Sequence, residues 1–216
     1  MKTLIGRWLL ASLGVTMLAE AREPGLRVEV LVYNYAGLSA ETLARAEREA
    51  ARIYERAGIE TEWLDCPLSP AEAAHYPACE LPVGVTRLAL RLLSREMAER
   101  RKSDPMTFGF ALFPEDGGFG TIVNVYSHRA EELAKGREKT HAAILGHLMA
   151  HELGHLLLGV GSHSPSGLMR VPWHKKELEL IAQGSMFFMP WQAERMQAQV
   201  IARVASERAE QAQSSR

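Results

Sequence analysis

His151-Glu152-Leu153-Gly154-His155 is the pattern in this chain with the most specific chemistry. On a helix, residues four apart lie about one turn above each other, so both imidazoles can reach one ion. Glu152 then stands beside the coordination position they leave open. Zinc held by neutral nitrogen ligands lowers the pKa of its water to about 7, and an adjacent carboxylate can take the proton as the water attacks a carbonyl. Five residues alone match by chance often enough that context must decide. A hydrolytic site needs a third protein ligand, and His163 stands after Gly159 and Gly161. Those glycines allow positive φ angles, which end a helix and turn the chain back towards its face. Met169 follows in Gly167-Leu168-Met169; on its own it would read as a core methionine. His147 shares the face of His151 one turn earlier, but four imidazoles would close the open position, so it reads as a packing or ligand-orienting residue. His128, His141 and His174 read as surface or hydrogen-bonded histidines.

The elements that must position these residues follow from apolar periodicity. Strands are predicted at residues 26–35, 59–64 and 86–93, the last with a composition that also permits helix. Between the first two, Ser39 is a candidate cap for a helix bearing Leu43, Ala46, Ala50, Ile53 and Ala57, stopped by Gly58. The charged residues 95–102 include Glu96 and Glu99 among the basic ones and read as a solvated face. Apolar runs at 108–113 and 121–126, joined through Asp116-Gly117-Gly118, read as a hairpin-like pair. From about residue 140, Ile144, Leu145, Leu148, Met149, Leu153 and Leu156 fit one long helix ending at Gly159. A short helix at 175–182 and a longer one at 192–211, with Met196, Val200 and Val204 on one face, complete the chain. This order predicts an α+β fold: a mixed twisted sheet, an active-site helix and a small C-terminal helical part.

Lys2 and Arg7, an uncharged apolar run over 8–18 and Ala19-Glu20-Ala21 form the pattern of a secretory signal peptide over residues 1–21, too short to span a membrane comfortably. The expectation is a secreted or periplasmic protein, a monomer without stable membrane insertion after cleavage, with one domain at 22–216. Export favours a disulfide between Cys66 and Cys79 across a proline-rich loop, contributing about 3 kcal/mol by restricting the unfolded chain. The net charge of −1 provides no global field for nucleic acid, and 47% hydrophobic with 24% charged residues excludes a disordered chain.

Residues 151–169, HELGHLLLGVGSHSPSGLM, resemble the signature of the metzincin clan of zinc endopeptidases: a long His-Glu-x-x-His motif, a turn glycine, a third His and a downstream Met-turn. The flanks, including the signal peptide and Gly118-Phe119-Gly120, are similar to those of a group of exported bacterial peptidases. The resemblance implies a metzincin-like fold, with an upper part over about 22–159 and the Met-turn and C-terminal helices over 160–216. It implies zinc held by His151, His155 and His163, Glu152 as general base, Met169 supporting the site from below, and a peptide or protein substrate. It also implies a cleft bordered by an edge strand, by position residues 121–126.

Two features depart from the signature. His163 follows His155 by eight residues where the signature has six, and the turn glycine is shifted by one to Gly159. The longer turn preserves the ligand chemistry; the competing arrangement is a gluzincin-type site with Glu177 or Glu179 as third ligand. Arg170, Val171, Pro172 and Trp173 follow Met169, without the Tyr that many metzincins carry there. That absence favours a second reading, a noncatalytic zinc-stabilised binding protein of the same fold. Glu152 favours the enzyme, because a purely structural zinc needs a fourth ligand and no carboxylate base.

Overall fold

In strand β1 (Arg27–Asn34), Val28, Val30 and Val32 alternate onto one face and are almost wholly excluded from solvent. The same period places Leu88, Leu90 and Leu92 of β3 (Arg87–Leu93) and Val123 and Val125 of β5 (Ile122–Tyr126) in the same apolar core. These assignments come from a computed structural model that describes residues 25–215 other than 103 and 105. The signal segment read over residues 1–21 lies outside the described residues. With β2 (Glu60–Cys66) and β4 (Gly109–Leu112) the strands form a mixed five-stranded sheet in the order β2-β1-β3-β5-β4, parallel except for β4.

That order corrects one expectation. Residues 121–126 are not an edge strand: β5 pairs with β3 through Ala89↔Ile122 to Leu93↔Tyr126 on one side, and with β4 on the other. The edge is β4. The physical reason is visible in β5, whose Val123, Asn124, Val125 and Tyr126 are all buried, as suits an interior strand covered on both faces.

Helix α1 (Ala40–Arg56) starts where the Ser39 hydroxyl accepts from the Thr42 amide, and its Leu43, Ala46, Ala50 and Ile53 face the core. Two short helices, α2 (Pro70–Ala73) and α3 (Pro77–Glu80), lie between β2 and β3, where Cys66 and Cys79 are placed as a disulfide with Cα atoms 5.6 Å apart. The charged segment after β3 folds as α4 (Arg95–Arg100), which turns Ala98 inward. Helix α5 (Ser127–Ala134) and a 3₁₀ turn at Glu138–Thr140 lead into α6 (His141–Leu158). Among the described residues no helix is long and apolar enough to cross a membrane.

Helix α6 is buried along most of its length, with α1, α5 and α8 (Pro190–Ser214) packed against it. Gly146 permits the α1 approach: a Cβ there would lie 2.5 Å from the Ala46 carbonyl oxygen. From α8, the buried Arg203 donates to the backbone carbonyls of Val85, Gly120 and Leu156, tying the last turn of α6 to the loops leading into β3 and β5. Helix α7 (Lys175–Ala182) lies between the turn that follows α6 and α8.

Candidate metal centre

Helix α6 carries His151 and His155 on consecutive turns, with Glu152 next to the first, and ends at Gly159, which adopts φ 89° while its N–H donates to the His155 carbonyl. A second positive φ, 71° at Gly161, turns the chain back so that His163 approaches the helix. Ring centroids of His163 lie 5.4 Å from His151 and 4.8 Å from His155. One potential ligand nitrogen from each of the three lies within 4.8 Å of the others, and among the described residues this is the group of His, Cys, Asp or Glu that converges in this way.

The partners of the outer ring nitrogens define what the inner ones present. His151 Nδ1 lies 2.9 Å from the Leu168 carbonyl oxygen, which can only accept, so Nδ1 carries the proton and Nε2 offers a lone pair. His155 Nδ1 meets the Ser162 hydroxyl at 2.8 Å, and with Nδ1–H donating to Oγ its Nε2 is also free to bind a cation. Burial, with smaller repulsions from the neighbouring imidazoles, pushes His151 down to about 3 and His155 to about 4. Burial also lowers His163. Three neutral imidazoles with two oriented Nε2 atoms form a donor set that fits zinc.

Glu152 is 3% exposed, and burial pushes its carboxyl up to about 8. Edge strand β4 crosses directly over it: a Cβ on Gly109 would sit 2.9 Å from Glu152 Cγ and Cδ. Phe108 packs edge-on against His151, with ring centroids 5.5 Å apart, and lies tilted against Trp173 at 4.5 Å, fixing the first imidazole laterally. Met169 is wholly buried beneath the helix, and a Cβ on Gly154 would lie 3.0 Å from its Sδ. Phe188 comes still nearer, at 2.8 Å, so the glycine inside the motif makes room for both the phenylalanine and the methionine.

The cavity over this group has a volume of about 490 Å³ and is lined by His151, Glu152, His155 and His163, by Gly109, Phe110 and Ala111 of β4, by the polar Asp104 and Thr107, and by apolar residues. The structure does not bring the alternative ligands here. Glu177 accepts from the His174 amide at the start of α7 and lies 3.2 Å from Arg170, while Glu179 is exposed near Lys175. His147 is buried, lies 2.8 Å from the Ala143 carbonyl oxygen through Nδ1, and packs against Trp173 outside the group. His128, read as a surface or hydrogen-bonded residue, is buried. Sequence reasoning missed Ser162, Phe108 and Gly109. Only Ser162 carried a signal, as a hydroxyl directly beside the third histidine.

No family model matches the sequence, and no curated protein matches it significantly. Among solved structures the chain is similar to the archaemetzincin of Methanopyrus kandleri, at 16% identity and a TM-score of 0.46, covering 83% of this chain and 98% of that one. It is also similar to TM1509 of Thermotoga maritima, at 11% identity and a TM-score of 0.31, covering 85% and 95%. Both likenesses are distant.

Proposed function

We propose that the chain is an exported zinc-dependent endopeptidase, with the metal held by His151, His155 and His163. The observation that carries this reading is the convergence of the three imidazoles within 4.8 Å, at a cleft also lined by Glu152 beneath an edge strand. When bound, zinc supplies Lewis acidity at a carbonyl oxygen and lowers the pKa of water. Glu152 serves as general base: a carboxylate oxygen takes a proton from water and returns it to the departing amine. Burial alone opposes that role by holding Glu152 protonated, whereas a divalent charge among the adjacent imidazoles favours the carboxylate.

Strand β4 provides the surface for the substrate backbone. Among the described residues its outer side is unpaired, so an extended peptide can add to it as a further strand, antiparallel or parallel, above Glu152. Gly109 keeps that approach shallow, and Phe108, Phe113, Val171 and Pro172 give the cleft an apolar lining for neighbouring side chains. Met169 and the Leu168 carbonyl hold the ligand helix from below.

Metal analysis of the mature protein combined with digestion of a broad peptide library tests the proposal. The expected result is about one zinc per chain together with endoproteolytic cleavage that a chelator abolishes. Zinc without cleavage would favour the noncatalytic binding protein, and absence of zinc would contradict both readings.

A further inference from the structure

Strand register sets a row of side chains on the face of the sheet turned away from α6. Tyr33 stands opposite Arg91, Arg91 opposite Asn124, and Asn124 opposite Phe110. Helix α4 borders this row and leaves a cavity of about 430 Å³. Its polar lining is Tyr35, Arg91, Arg100, Arg101 and Asn124, accompanied by two apolar residues, and among the described residues no carboxylate lines it.

Charge pairing distinguishes these arginines from their neighbours. Arg87 is paired with Glu29, and Arg95 and Arg129 share Glu132. Arg91, Arg100 and Arg101 are in no ion pair among the described residues; Arg101 instead lies over the Phe110 ring, 4.3 Å from its centroid. A second observation points the same way. Asn124 is 4% exposed and lines the cavity, yet its Nδ2 donor has no hydrogen-bond partner. Buried amide donors are nearly always satisfied, and the charged groups that share the cavity with this one are donors only.

We propose that this cavity is a binding site for a small oxyanion ligand, a carboxylate or phosphate group held by Arg91, Arg100 and Arg101 with Asn124 Nδ2 as a fourth donor. Guanidinium forks match the planar or tetrahedral oxygens of such groups, and charge-assisted hydrogen bonds are the stronger kind. The volume suits a small molecule. The site lies behind the sheet from the metal centre and does not depend on the peptidase reading.

Titration of the mature, isotope-labelled protein with inorganic phosphate and, separately, with succinate tests the site, following the Asn124 side-chain amide by NMR. Both titrations are run with zinc loaded and after chelation, because either probe can also contact a metal. The expected result is a saturable shift with the same apparent Kd in the two metal states, for phosphate, succinate or both; which probe saturates identifies the source of the oxyanion. Arg91→Gln and the surface variant Arg100→Gln should each weaken binding about tenfold, while Arg45→Gln on α1 should leave it unchanged. Failure of both probes to saturate at tens of millimolar would overturn the proposal. So would affinities that ignore Arg91→Gln and Arg100→Gln in variants that keep the parental spectrum.

Discussion

Nε2 of His151 and Nε2 of His155 face each other at 3.2 Å, while Nδ1 of each ring is engaged behind by the Leu168 carbonyl and the Ser162 hydroxyl. Spacing of four residues brings the rings together, but the two rear contacts determine which nitrogens look inward. Both contacts come from the turn after α6, so the same segment that delivers His163 also orients the two helical histidines.

His163→Ala should therefore weaken zinc binding strongly in a competition titration. Glu177→Gln and Glu179→Gln should leave it nearly unchanged, because neither carboxylate reaches the group. The reverse ranking would move the third ligand to α7.

Ser162→Ala removes the hydroxyl 2.8 Å behind His155 and leaves every proposed ligand in place. Loss of such an orienting contact typically costs about 10–100-fold in metal affinity or activity, and that is the expected drop in a zinc titration. An unchanged affinity would show that the turn positions His163 alone.

Gly109→Ala places a methyl group 2.0 Å from the Asn124 carbonyl oxygen and 2.9 Å from Glu152. The first contact is with backbone, so the strand must move. The expected cost is about 1–3 kcal/mol in thermal unfolding, with peptide cleavage falling further than stability.

Much of this site is legible in the sequence because its parts are local. Motif, turn glycines, His163 and Met169 occupy residues 151–169, and helical period with positive φ at Gly159 and Gly161 suffices to relate them. Non-local relationships were not legible. The hairpin-like pairing of β4 with β5 follows from its turn residues, but which strand lies at the edge depends on β3 pairing with β5 across the sheet. Arg203 is the sharper case: apolar period on α8 marks Met196, Val200 and Val204, yet the wholly buried residue beside them is an arginine that takes three carbonyls from distant segments. Residues 95–102 read only as a solvated face, since nothing local shows that α4 overlies Arg91 and Asn124.

A pH prediction comes from Glu47, whose carboxyl is pushed from 4.5 to about 8 by burial and by the neighbouring Asp65 carboxylate. Between those values the folded chain retains a proton that the unfolded chain has lost, so stability is greatest below pH 4.5 for this group and declines as pH rises towards 8. Glu47→Gln should flatten that decline and stabilise the protein at pH 8 relative to the parent, as read by urea unfolding across the range. A slope identical to the parent's would show that the pair does not hold the proton.

The most direct measurement is peptide cleavage by Glu152→Gln with zinc content determined on the same sample. The substitution keeps the size of a side chain that is 3% exposed and removes only its capacity as a base. The account predicts about one zinc per chain and a loss of activity of ~100-fold to 10,000-fold, the range typical of general-base catalysis. Cleavage at the parental rate by the zinc-loaded variant would contradict it.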